Sequence, residues 1–189
     1  DITATGAVTS TGTFGDGIEA ELSVLGPNPG ANYGTDLTIS AVAVTGQTVG
    51  IDARSKGTGA LSITATGTVA GGTQQGIFAN NFGSGTNVEI DAVSVTGGST
   101  GISASNSGTG FLSVTTTGSV TGDSGAGIRA TTSNASGTTL TISADDVSGT
   151  DDGIYANHAG TGTQTVTVTG TVTGGSLSGN SGIDTRTGS

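Results

Sequence analysis

The sequence predicts an all-β fold, a parallel β-helix or solenoid of about seven coils with about 26 residues per coil. Three observations carry this expectation. A glycine–isoleucine pair recurs seven times along the 189 residues. Two further aliphatic series recur in register with it. Around all three, apolar residues alternate with hydroxyl residues one by one. A right-handed winding is expected, and residues 1–189 read as a single solenoid segment, uncapped at both ends.

The isoleucines of the repeated pair are Ile18, Ile51, Ile77, Ile102, Ile128, Ile154 and Ile183, spaced 33, 26, 25, 26, 26 and 29 residues apart. They are the expected structural core. Alanine stands two residues later in six of the seven, at Ala20, Ala53, Ala79, Ala104, Ala130 and Ala156, with Thr185 in the last. A column of alanines marks a place with no room for a larger side chain. The second series is Ile2, Ile39, Ile63, Ile90, Val114, Ile142 and Val166, and the third is Val8, Val44, Val69, Val95, Val120, Val147 and Val172. Three anchors per coil predict three short strands per coil, each paired in parallel with its equivalent at about 4.8 Å. Seven such coils would make a rod on the order of 34 Å long.

The coils alternate in type. In coils one, three, five and seven the valine follows its first anchor by six residues, with Gly6, Gly67, Gly118 or Gly170 between. In coils two, four and six it follows by five. The true period is therefore a two-coil unit of 51 or 52 residues, as from Ile63 to Val114 and from Val114 to Val166.

Extended backbone follows from the pattern. In Leu61-Ser62-Ile63-Thr64-Ala65-Thr66 every second residue is apolar, which sends one set inward and the hydroxyls outward. Thr, Val and Ile favour the pleat because branching at Cβ restricts χ1. Glycine every few residues would cost a helix about 1 kcal/mol each against alanine. In a solenoid the same glycines are expected to turn the corners between strands.

The rhythm breaks in the first coil. Ile18 to Ile39 takes 21 residues where other coils take 12 to 14. Residues 23–36 hold both prolines, so they must leave the ladder as a protruding loop. Pro27, Asn28, Pro29 and Tyr33 are its candidate contact residues, with a tolerated surface insertion as the plainer reading. A smaller excess sits between Gly174 and Gly182.

Composition narrows the function. Four Lys and Arg against 14 Asp and Glu give a net charge of −10. Nucleic-acid binding is therefore not expected, since it rests on clustered cations. Docking on acidic lipid is disfavoured in the same way. Without cysteine there is no disulfide, thiolate metal site or cysteine nucleophile. No apolar run approaches a membrane span, so direct membrane insertion is not expected.

No catalytic constellation emerges, and no cofactor is implied. Asp16 and Asp152 both precede the glycine of the repeated pair but lie five coils apart, about 24 Å, too far to cooperate. Asp145 and Asp146 are adjacent, so they face opposite sides or mark a bulge. Asp123, Asp151 and Asp152 are candidate Ca²⁺ ligands, with a solvated turn as the plainer reading. His158 falls in a polar corner column with Ser55, Asn81, Asn106 and Thr132, where a hydrogen-bonding ladder is expected. Phe78 and Tyr155 share another column, three coils apart. An outward column runs Thr3, Ser40, Thr64, Asp91, Thr115, Ser143 and Thr167, which raises ice binding as an alternative. Thermal hysteresis measured on the protein decides that alternative.

The pattern L-x-I-T-A-T-G-x-V followed by G-I-x-A, in Gly/Thr/Ser-rich surroundings, resembles the passenger region of Gram-negative autotransporters and similar repetitive bacterial surface proteins. The likeness covers the whole chain and specifies a class rather than one member. It implies export, display as an extracellular rod on the bacterial surface, and a structural or adhesive role rather than an enzymatic one. Expected partners are then other copies or a continuation of the chain end to end, or a surface glycan or host ligand. Polysaccharide binding or degradation along one face is the alternative from another functional class.

Overall fold

A computed structural model of the chain describes residues 1–23, 36–175 and 179–188. The candidate contact residues Pro27, Asn28, Pro29 and Tyr33 lie outside the described residues. The described chain is all β-strand and turn, wound as a parallel solenoid of two sheets.

Coil one contributes β1 (Ile2–Thr9) and β2 (Ile18–Leu22), coil two β3 (Leu37–Gly46) and β4 (Ile51–Ser55). Coil three contributes β5 (Leu61–Gly71) and β6 (Ile77–Asn81), coil four β7 (Val88–Gly97) and β8 (Ile102–Asn106). From coil five onward there are three strands per coil: β9 (Leu112–Thr116), β10 (Val120–Gly122) and β11 (Ile128–Thr132); β12 (Leu140–Ala144), β13 (Val147–Gly149) and β14 (Ile154–His158); β15 (Gln164–Val168), β16 (Val172–Thr173) and β17 (Ile183–Thr187). The expected three strands per coil thus hold for coils five to seven. In coils one to four the first two run on as one strand, and the reason is a bulge that bends the strand without ending it.

The ten-stranded first sheet carries the first two anchor columns, and the seven-stranded second sheet carries the Gly-Ile column. All pairing is parallel and in the expected register. Ile2 pairs with Ile39, Ile39 with Ile63, Ile63 with Ile90 and Ile90 with Val114. The column continues through Ile142 to Val166. The valines align likewise from Val8 to Val172. In the second sheet Ile18 to Ile183 stack without a shift, as do the alanines beside them. The core is these columns plus a further one, Leu37, Leu61, Val88, Leu112 and Leu140, two residues before the first anchor. Ile51, Ile77, Ile102, Ile128 and Ile154 are completely shielded from solvent, whereas Ile183 in the last coil is 45% exposed.

The alternation of coil type is the bulge. Register shifts fall between Ala4 and Ala7, Ala41 and Val44, and Ala65 and Thr68. The longer coil spends its extra residue on a glycine lying close over the preceding coil. A Cβ on Gly67 would come within 2.5 Å of the Val42 carbonyl oxygen, and one on Gly170 within 2.5 Å of an Asp146 carboxylate oxygen.

The glycines before the isoleucines stand at the corners between strands as expected, but not through a left-handed backbone. Among the described residues only Gly179 has a positive φ, at 98°. The others are needed for space. A Cβ on Gly101 would sit 2.6 Å from the Gly127 carbonyl oxygen and 2.6 Å from Val120 Cγ1, and the glycines of neighbouring coils are equally confined. The close approach lets the ladder run through the corner, where Gly101 N–H donates to Ala126 O and Ile102 N–H to Gly127 O. Backbone groups that would otherwise be buried unpaired are satisfied.

Candidate interaction faces

Because the coils share one register, every outward position becomes a column about 4.8 Å from coil to coil. The two sheets show different chemistry to water. On the first sheet the column Thr3, Ser40, Thr64, Asp91, Thr115, Ser143 and Thr167 is aligned as the sequence implies. Ser62, Glu89, Ser113, Thr141 and Thr165 run beside it. This hydroxyl face is interrupted by Glu89 and Asp91, and it is not level. Where the strands bulge, a groove of about 230 Å³ is lined by Thr64, Thr66, Asp91, Val93, Thr115 and Thr117. Val93 of that lining is 38% exposed, and Val42, elsewhere on the sheet, is 42% exposed.

The second sheet presents two outward columns. One is Glu19, Asp52, Phe78, Ser103, Arg129, Tyr155 and Asp184; the other is Glu21, Arg54, Asn80, Ser105, Thr131, Asn157 and Arg186. All three arginines of the chain are therefore on this face, and Lys56 follows just past its edge. Two arginines have carboxylate partners on their own strand. Arg54 grips Asp52 through Nε and Nη2 at 2.9 and 2.8 Å, and Arg186 Nη2 reaches Asp184 at 2.7 Å. These bonds raise both guanidinium pKa values above the ordinary arginine value. Lys56 Nζ donates to Glu21 at 2.7 Å, and that hydrogen bond holds the Glu21 carboxyl below its usual range.

The aromatics complete the face. The Arg54 guanidinium lies 5.2 Å from the Phe78 ring centre, and Lys56 Nζ 5.7 Å from that of Phe82. Tyr155 takes two cations, Arg129 at 4.6 Å and Arg186 at 5.1 Å, within the range of cation–π attraction. This arrangement was open to sequence reading, since Arg54, Arg129, Arg186, Phe78 and Tyr155 all stand one or three residues after an isoleucine anchor. The signal was hidden because the five are scattered over 133 residues of chain.

The polar corner column is buried rather than solvated. Ser55, Asn81 and Asn106 are fully enclosed, and Thr132 and His158 nearly so. Asn106 is the best held. Its Nδ2 donates to Thr86 O and Phe111 O at 2.8 and 2.9 Å, and its Oδ1 accepts from Gly108 N–H at 2.9 Å. Asn81 Nδ2 reaches Asn106 Oδ1 at 3.4 Å, and Thr132 Oγ1 meets His158 Nδ1 at 2.6 Å. The expected ladder is present only as two separate pairs, Asn81–Asn106 and Thr132–His158, while among the described residues Ser55 Oγ, Asn81 Oδ1 and His158 Nε2 are buried without a partner.

Three of the remaining acids, Asp16, Asp146 and Asp152, accept backbone N–H groups of the next coil. Asp16 Oδ1 accepts the Val49 N–H at 3.0 Å, and Asp152 Oδ1, in the same column, accepts the Ser181 N–H at 2.8 Å. Asp145 and Asp146 lie at the bend between β12 and β13, where they accept from Thr169 Oγ1 and Thr171 N–H respectively. Asp123 and Asp151 stand in the turns, bonded through their backbone N–H groups to Gly97 O and Gly125 O. Among the described residues no three acidic or histidine side chains gather to hold a metal ion, and Asp123, Asp151 and Asp152 form no such group.

Comparison with known protein families, with curated proteins and with solved structures finds no match to this chain.

Proposed function

We propose that this chain is a segment of an extracellular rod displayed on a bacterial surface, with a structural and adhesive role. The observation that carries the reading is the unbroken register of three aliphatic columns through seven coils. Each coil binds only its neighbours, so stability and stiffness are summed along one axis. A spacer needs that property and a compact catalytic domain does not. Asp16, Asp146, Asp152 and Asn106 are taken up in bonds to the backbone at turns and corners. The outward positions are left as repeating columns suited to contact with an extended surface.

The reading is tested on the cells that produce the protein. Antibody raised against residues 1–189 is expected to label intact cells, and protease added outside is expected to remove the signal. Retention of the protein in the protease-protected cytosolic fraction would refute surface display.

A further inference from the structure

The second sheet carries a patch unlike the rest of this acidic molecule. Over coils four to six its six outward positions are Ser103, Ser105, Arg129, Thr131, Tyr155 and Asn157. None is a carboxylate, although the chain has a net charge of −10. Arg129 is exposed and stacks on Tyr155. Among the described residues no carboxylate lies in salt-bridge contact with it, whereas Arg54, Lys56 and Arg186 each have one.

We propose that this patch is a binding site for a carboxylated sugar, with the Arg129 guanidinium taking the carboxylate and the side chains around it taking the ring hydroxyls. The proposal deepens the adhesive reading above by naming where contact is made and with what chemistry. An unpaired guanidinium offers a planar fork of donors that matches a carboxylate. Its stacking on Tyr155 limits its freedom before a ligand arrives, so less entropy is lost on binding. Ser103, Ser105, Thr131 and Asn157 supply short donors and acceptors on a rigid lattice, the complement of a polyhydroxylated ring. Other ligand classes fit less well. A protein partner would need large apolar anchors, and the patch has one aromatic ring. A nucleic acid would need several unpaired cations, and the patch has one. A neutral sugar would leave the guanidinium without an anion.

The experiment uses the ¹⁵N-labelled 189-residue chain, titrated with three probes: a short oligomer of galacturonic acid, the neutral galactose oligomer of the same length, and acetate at equal carboxylate concentration. The uronate oligomer is expected to give saturable shifts on β8, β11 and β14, weakening as salt is raised to about 0.15 M. Arg129→Gln is expected to weaken binding about tenfold or more, with Arg129→Lys between the two. Thr115→Ala on the opposite face is expected to leave it unchanged. The proposal is overturned if the neutral oligomer or acetate binds as well, if Arg129→Gln binds like the parent, if the shifts fall on the first sheet, or if nothing saturates by about 10 mM. Far-UV circular dichroism of each variant separates the two readings. Weaker binding by Arg129→Gln with its β-signal intact supports the sugar site. Absence of binding by the parent chain with its β-signal intact removes the site and leaves the rod standing, whereas absence of the β-signal in the parent chain strikes at the rod itself.

Discussion

The two sheets stack the same kind of aliphatic column, yet they tolerate variation very differently. The second sheet is seven strands of five residues, with no shift of register from Ile18 to Ile183. The first sheet changes from continuous strands of 8, 10, 11 and 10 residues to split pairs, and it absorbs every difference between long and short coils. The cause is local. Each interior strand of the second sheet starts at a glycine wedged against the next coil's backbone, so there is no slack. The first sheet carries a bulge, which can gain or lose a residue while the anchors on either side stay inward. A repeat protein needs one rigid wall to keep count and can let the other vary.

The comparison is broken most forcefully from the interior of the rigid wall. Ile128→Ala removes a side chain with no exposed area and should destabilise the chain by about 2–5 kcal/mol in urea denaturation, because the neighbouring coils cannot close the gap. Gly101→Ala asks whether the wedge or the bulge is tighter. The new methyl would lie 2.6 Å from a backbone oxygen of the next coil, so a loss of about 1–3 kcal/mol is expected. Gly118→Ala at the bend meets the Ser94 hydroxyl, which can rotate, and the Val93 carbonyl oxygen at 3.0 Å, a looser backbone approach than at Gly101, so a smaller loss of about 1 kcal/mol is expected. Equal effects at the two glycines would erase the distinction between the walls.

Asn106→Ala tests the corner where the second sheet ends. It leaves Gly108 N–H without its partner and takes one of two donors each from Thr86 O and Phe111 O, which keep the Gly110 and Val88 N–H groups, and a loss of about 1–3 kcal/mol is expected in the same assay. The smallest effect belongs to Glu21. Its folded-state pKa is depressed by Lys56, so its contribution is present above the unfolded value and is lost as pH falls through the folded one. The stability difference between the parent and Glu21→Gln should therefore be small at neutral pH and absent in acid. A difference that grows on acidification would reverse the sign assigned to this pair.

Much of the architecture was legible in the sequence because a solenoid ties position in the repeat to position in space. Once Ile51 and Ile77 are equivalent, so are Asp52 and Phe78, and so are Arg54 and Asn80. What was not legible depends on distances between coils. The spacing of Val44 from Ile39 showed a two-type repeat, but not that the strand would continue through the bend. The column from Ser55 to His158 was read as polar, and only the folded backbone shows that the corner closes over it. Asp16 and Asp152 were seen to share a column, while their role emerged from the N–H groups of Val49 and Ser181 one coil further on. Tyr155 gains its two cations from residues 26 positions before it and 31 after, a neighbourhood no local window contains.

The alternating bulge also fixes how a molecule of this kind can grow. Gly67, Gly118 and Gly170 each lie over a short coil, so a duplication that inserted one coil would set two long coils or two short ones face to face. Only insertions of paired coils preserve the fit. A lineage that lengthens or shortens the rod should therefore do so in increments of about 10 Å, like a ruler graduated only in even numbers.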